Sequence, residues 1–294
     1  MQNDNLKAYL KLHLIVFIWG FTAILGALIS INSEILVWYR LLLASGFIFF
    51  SIFFRKKSLK IKIKFLFQLI FVGLLIALHW IFFFKAIKTS NISITLSIFS
   101  LGAFITSLLE PLFYNRKVLW YEVFFGVLIM ASLAFVLHVE INYFEGVIYA
   151  LISIILGVLF TLINGKLIEK QDSSVITLYE FLSGVGFISI YFLMQSEITF
   201  AQFSLSFYDF SLLLILASVC TAYAFTASVK LMDKLTPYTV MLTTSLEPVY
   251  GIVLAYFIIG EKEKMSIEFY IGAIIILITV ILNGILKQYY STKK

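Results

Sequence analysis

The chain has 294 residues, of which 62% are hydrophobic and only 13% charged, about half the roughly 25% charged content of a globular domain. That composition excludes a soluble protein. The net charge of +6 comes from basic residues that recur between apolar stretches rather than from one basic face, which argues against a nucleic-acid partner, and the single cysteine, Cys220, excludes an intrachain disulfide and a cysteine metal site.

A bilayer core of about 30 Å needs about 20 apolar residues of helix at about 1.5 Å each, and ten stretches meet that length. The first, Tyr9 to Ser30, contains His13 and the run Trp19-Gly20-Phe21-Thr22; no cleavable leader precedes it, so it is expected to remain as a helix. Ile35 to Phe54 carries Tyr39-Arg40 near its start and is followed by the basic run Arg55 to Lys64. Phe65 to Ile87 holds His79-Trp80 and, near its end, Lys85; Ile92 to Tyr114 holds Glu110-Pro111; Val118 to Val139 holds His138. After a loop from Glu140 to Glu145, the sixth stretch, Gly146 to Ile168, brings Thr161 and Asn164, and the seventh, Val175 to Gln195, brings Tyr179-Glu180. Phe210 to Met232 contains Cys220, Tyr223 and Lys230, Pro237 to Ile259 contains Glu247-Pro248 and Tyr250, and Ile267 to Leu286 is the last. Most basic residues fall in alternate joints: Lys7 and Lys11, Arg55 to Lys64, Arg116 and Lys117, Lys166 and Lys170, Lys230 and Lys234, and Lys287 with Lys293 and Lys294. By the positive-inside rule both termini are expected in the cytoplasm, and the basic blocks also suit contact with anionic lipid.

Five spans precede Glu145 and five follow it, so similar halves would enter the membrane in opposite directions, an inverted repeat with a site near the midplane between them. A shift of 145 residues places Ser100-Leu101 on Ser245-Leu246, Asn115-Arg116 on Gly260-Glu261 and Lys85 on Lys230. A shift of 137 aligns Glu110-Pro111 with Glu247-Pro248 but sets Arg116, at a helix end, on Val253 in mid-span, so the first register is preferred.

Trp19-Gly20-Phe21-Thr22, Tyr39-Arg40, and the run Leu246-Glu247-Pro248-Val249-Tyr250 leading into Ile259-Gly260-Glu261-Lys262 together resemble the drug/metabolite transporter superfamily of EamA type, over about Leu12 to Leu286. The first half departs from the family pattern at Gly102-Ala103, where a proline is common, and at Asn115-Arg116, where Gly-Glu is common. The resemblance implies an all-α integral membrane protein of ten transmembrane helices in two inverted five-helix repeats, 9–139 and 146–286. It also implies export of a small metabolite, such as an amino acid or related compound, or of a drug.

Polar residues within the spans are the candidate site, because a charge at the bilayer centre costs roughly 2.5 to 3.5 kcal/mol and therefore faces the bundle interior, a partner or a wet cavity. Glu247 lies near the middle of its span and is too short to snorkel; it reads as a substrate-amine or proton site, or as a carboxylate fixed by a neighbouring helix, with Pro248 beside it as a hinge. Arg40 and Glu180, each after a tyrosine in related spans, either pair across the halves or guard opposite mouths of a cavity, although Arg40 is also placed to snorkel. Trp19, His79, Trp80, Asn164, Tyr179, Tyr223 and Tyr250 complete the candidate substrate or proton-binding set; with 17% aromatic residues, many tyrosines are instead expected to face lipid. Lys85 and Lys230 read as lipid anchors, Glu110 as a local partner of Arg116 and Lys117, and Gly20, Gly26, Ser153, Gly157, Ser183, Gly184, Gly186 and Gly251 as helix seams.

The three histidines fit no metal spacing, no nucleotide-binding loop occurs, and no catalytic cluster stands out, so neither metal nor cofactor nor enzymatic activity is expected. The reading is a secondary transporter of the inner membrane working by alternating access, with a small-molecule substrate, the lipid bilayer and protons as its partners. An integral-membrane enzyme or a channel is the alternative.

Overall fold

The computed structural model describes residues 2–115, 117–139, 143–195, 199–263 and 265–291. Arg116, Glu140, Lys264 and Lys293-Lys294 lie outside the described residues, as do the side chains of His138, Lys262 and Lys287. The regular structure is helical throughout the described residues. In chain order the helices are α1 Gln2–Leu28, α2 Ser33–Phe54, α3 Ile63–Thr89, α4 Ile92–Phe99, α5 Gly102–Tyr114, α6 Trp120–Val139, α7 Phe144–Leu167, α8 Ser173–Met194 and α9 Phe207–Ile215. A π-helical segment, Leu216–Tyr223, follows, and then come α10 Ala224–Leu231, α11 Pro237–Thr244, α12 Glu247–Ile259 and α13 Ile267–Ser291.

Among the described residues, eight segments are long and apolar enough to cross a membrane: Leu6–Leu28, Ser33–Phe54, Ile63–Thr89, Ile92–Tyr114, Phe144–Leu167, Ser173–Met194, Phe207–Leu231 and Pro237–Ile259. Helices α6 and α13 stand where the sequence predicts spans five and ten and are not among these eight. Outward-facing Phe53, Phe54, Leu193 and Phe257 are exposed, the pattern of a helix bundle whose solvent is hydrocarbon.

Three predicted spans are not single α-helices. The fourth breaks at Ser100-Leu101, the ninth at Ser245-Leu246, and the eighth carries the π segment at its centre. In the ninth, Pro248 sits in the first turn of α12, where its missing N–H has no intrahelical acceptor to lose. The fourth breaks without a proline, immediately before Gly102. The two breaks lie 145 residues apart and touch, Ser245 Oγ donating to the Ser100 carbonyl at 3.4 Å. Asn115 and Gly260, related by the same shift, both end a helix with positive φ, 50° and 79°, a conformation that asparagine and glycine tolerate best.

The halves interlock. Helix α3 packs on α7 and α8, α2 on α8 and the π segment, α1 on α12, α4 on α7 and α12, α5 on α11 and α6 on α13. Each half also caps a broken span of the other. The Glu263 carboxylate accepts from the Ile92 and Ser93 N–H groups at 3.2 Å each, at the start of α4. Glu110 Oε1 accepts from the Tyr238 N–H at 3.1 Å, at the start of α11, so Glu110 reaches across helices rather than serving only its own chain segment. These bonds satisfy N–H groups that a helix start leaves without partners.

Other polar residues tie the joints together. Lys57 Nζ pairs with Asp172 at 2.7 Å, and Tyr179 Oη donates to the Leu59 carbonyl at 2.9 Å. On the opposite side Tyr39 Oη donates to the Phe203 carbonyl at 2.8 Å, and Asp209 accepts from the Ser30 N–H and hydroxyl at 2.9 and 2.8 Å. Lys85, expected as a lipid anchor, instead pairs with Glu34 at 2.6 Å, because the start of α2 brings a carboxylate within its reach. Most of the predicted small-residue seams are close contacts: a Cβ on Gly20 would stand 3.3 Å from the Gly251 nitrogen, and one on Gly184 3.2 Å from the Gly73 carbonyl. Gly186 is the exception, with nothing within 4 Å of its would-be Cβ, since it faces outward.

Candidate functional site

Helices α1, α2, α3, α7, α10, α11 and α12, with Phe99 from the end of α4, line a central cavity of about 80 Å³. Its polar lining includes Arg40, His79, Asn164 and Glu247; Trp19, Trp80, Phe83, Phe99, Phe160 and Phe225 supply an aromatic wall.

Arg40 is 1% exposed and does not snorkel. Its Nε donates to Thr221 Oγ1 at 2.7 Å, and its guanidinium carbon lies 3.8 Å from the centre of the Trp80 ring. The π segment makes that contact, for Thr221 Oγ1 in turn donates to the Leu216 carbonyl five residues back. It also leaves the Cys220 carbonyl to accept from Trp19 Nε1 at 3.2 Å; such π bulges recur at functional sites. Arg40 Nη1 is buried with no hydrogen-bond partner among the described residues.

Glu247, 5% exposed, enters the cavity from the start of α12. It forms no ion pair with Arg40 in this structure, whereas Lys57 pairs with Asp172 and Lys85 with Glu34. One cavity therefore holds an acidic and a basic side chain that do not touch. His79 is fixed between α3 and α7 by a 2.7 Å contact of Nδ1 with the Ser153 carbonyl and by Ser153 Oγ donating to the His79 carbonyl at 2.7 Å. Gly157 lets the ring lie against α7, since a Cβ there would sit 3.1 Å from it.

The structure brings together six of the candidate residues, Trp19, Arg40, His79, Trp80, Asn164 and Glu247, around this cavity. The others stand elsewhere. Glu180 is 0% exposed behind Asn164, whose Nδ2 donates to its Oε2 at 3.5 Å. It does not pair with Arg40, whose Nε is taken by Thr221, and it lies about two turns into α8 from the joint at Asp172. Tyr179 holds the Leu59 carbonyl, Tyr250 packs on Phe17 with ring centres 5.5 Å apart, and Tyr223 is 47% exposed, on the outward side of the π segment. None of these three lines the cavity. Pro248 is buried beside Glu247. Phe83, Phe99, Phe160 and Phe225 were not evident in the sequence, because in so aromatic a chain nothing separates a cavity phenylalanine from a lipid-facing one. Neither was Thr221, for which the only signal is a polar residue at mid-span.

A second recess, of about 430 Å³, lies among the ends of α5, α7 and α10 and the start of α11; it is lined by Glu110, Tyr114, Glu169, Asp233 and Lys234 and meets the central cavity at Met232.

A multi-pass helical membrane protein built around a buried, charged and aromatic cavity is the class that this fold and site define. The model of the EamA-like transporter family matches residues 6–138 and again 144–285, and the chain belongs to that family, one of transporters rather than enzymes. No curated protein sequence matches the chain. Among solved structures, 27 chains match; one crystal structure, 13% identical, superposes with a TM-score of 0.72 over 97% of this chain and 98% of its own, a likeness of fold.

Proposed function

We propose that this protein is a secondary transporter of the inner membrane, exporting a small metabolite, such as an amino acid or related compound, or a drug, by alternating access between two inverted five-helix repeats. The single observation that carries the reading is the central cavity, in which Arg40 and Glu247 stand unpaired to each other among aromatic rings. Buried charges in a membrane normally have partners, and a solute that meets either group would supply one. Arg40 Nη1, buried and without a hydrogen-bond partner among the described residues, is the donor most available to it.

The broken fourth and ninth spans, touching at residues 145 apart, support the two-repeat plan, since transporter sites form where discontinuous helices meet near the midplane. Helices α6 and α13 complete ten spans with both termini in the cytoplasm. On that topology the recess joined to the cavity at Met232 lies on the cytoplasmic face, with Lys166, Lys170 and the Arg55 to Lys64 run, which favours loading from inside and hence export. Glu247 serves the substrate amine or the coupling proton, and Pro248 serves the hinge.

The test is efflux from proteoliposomes loaded with labelled amino acids or cationic dyes, under an imposed pH gradient, for wild type and Glu247→Gln. The expected result is movement of one solute class by wild type, and loss of gradient dependence with retention of exchange in Glu247→Gln. A variant that moves solute as wild type does at every pH would remove Glu247 from the mechanism.

A further inference from the structure

Glu180 lies one layer behind the cavity wall, 0% exposed. Among the described residues its carboxyl has one hydrogen bond, from Asn164 Nδ2 at 3.5 Å, the outer limit for such a bond. Three further polar atoms of the same neighbourhood, Glu180 Oε1, Asn164 Oδ1 and Thr177 Oγ1 one turn earlier on α8, are buried without a hydrogen-bond partner among the described residues.

Among the described residues no cation pairs with this carboxyl. On α2, Arg40 is held by Thr221 and Trp80, Tyr39 by the Phe203 carbonyl, and Glu34 pairs with Lys85 of α3. Also on α3, His79 contacts the Ser153 carbonyl, Lys88 donates to the Ile31 carbonyl and Lys64 is exposed. On α7, Lys166 lies over Phe113 and Tyr114, and Glu145 accepts from Tyr149; Lys230 of α10 is exposed. An ionised carboxylate requires several donors or a cation, whereas a carboxylic acid requires an acceptor for its O–H. The surroundings of Glu180 hold one distant amide donor, one amide oxygen without a partner, and the Thr177 hydroxyl, which can donate or accept. A half-turn of the Asn164 amide, whose oxygen and nitrogen are assigned from the hydrogen-bond network alone, presents an acceptor to the same carboxyl oxygen.

We propose that Glu180, with Asn164 and Thr177, is a proton-binding site separate from the central cavity, occupied by one proton in this conformation. The O–H of Glu180 donates to the Asn164 amide oxygen, and the proton exchanges with the cavity past that side chain. Because Asn164 also lines the cavity, a solute that engages its amide competes with Glu180, and solute and proton occupancy become linked in both directions. Only this last link rests on the transporter reading.

Infrared difference spectroscopy of the purified protein at neutral pH, without solute or gradient, tests the site itself. A protonated-carboxyl stretching band is expected in wild type and in Glu247→Gln and is expected to disappear in Glu180→Gln. In Asn164→Leu, with Glu180 intact, the band should shift as its hydrogen bond is lost, which keeps the test alive should Glu180→Gln fail to fold. A band unchanged in Glu180→Gln, a frequency unmoved in Asn164→Leu, or binding of radioactive sodium that depends on Glu180 would overturn the proposal. These spectra involve no transport, so their failure leaves the transporter reading standing, and an absence of transport leaves the proton site standing.

Discussion

Arg40 shows how a single side chain acquires a role from its surroundings. Its position near a span end permits snorkelling, yet the guanidinium carbon lies over the Trp80 ring, 3.8 Å from its centre, and Nε is held by Thr221 at 2.7 Å. A desolvated cation–π contact is worth about 2 kcal/mol, and a lysine keeps the charge but loses the planar fork that stacks and bonds at once. Arg40→Lys is therefore expected to lower stability by about 1 to 3 kcal/mol, read as a fall in melting temperature in detergent. Stability equal to wild type would mean that the stack and the Thr221 bond contribute nothing. The candidates that do line the cavity were legible because a polar or aromatic side chain in a run of Ile, Leu and Phe is conspicuous. Tyr223, Tyr250 and Tyr179 were conspicuous for the same reason, and the sequence holds no information on which way a tyrosine of a membrane helix points.

At the scale of elements, seams and joints decide which helices touch. A Cβ on Gly73 would lie 2.3 Å from the Glu180 carbonyl and 2.7 Å from Ser183 Cβ, so α3 and α8 meet nearly backbone to backbone. Gly73→Ala must push them apart and is expected to cost about 1 to 3 kcal/mol. Gly186→Ala, where nothing lies within 4 Å, should be neutral or stabilising by up to about 1 kcal/mol. Thermal unfolding of the two variants side by side checks the sign. The joint between α7 and α8 is expected to respond to pH. Partial burial pushes the Asp172 carboxyl up, but the Lys57 ammonium and the Ser174 N–H pull it further down, to a net position below the usual carboxylate range. A carboxylate depressed in the folded state stabilises above its unfolded value of about 3.9 and loses that contribution as pH falls through the folded value. Wild type should thus exceed Asp172→Asn in stability by an amount constant above about pH 5 and vanishing in stronger acid, small because the pair is partly exposed. A difference that grows on acidification would contradict the assignment. Helix lengths were legible from apolar runs, but the caps from Glu263 to α4 and from Glu110 to α11 were not, since each joins residues more than a hundred positions apart. The π segment left no mark in the sequence pattern.

For the whole molecule, the sequence and the fold agree on an all-helical membrane protein of two similar halves, because an apolar chain in hydrocarbon has few ways to satisfy its backbone. The breaks at Ser100-Leu101 and Ser245-Leu246 fall on the register read from weak similarity, although only the second is announced by a proline. What the sequence could not convey was depth: which span polar residues share one cavity, and that Glu180 sits behind it. A solute path through the cavity between Arg40 and Glu247 is tested by comparing two variants in one vesicle assay. At matched amounts in proteoliposomes, Arg40→Ala is expected to reduce solute flux at least about tenfold, the effect of about 1.4 kcal/mol. Tyr223→Ala, on the lipid-facing side of the adjoining helix, should retain the wild-type rate. Equal rates for the two variants would contradict a central pathway.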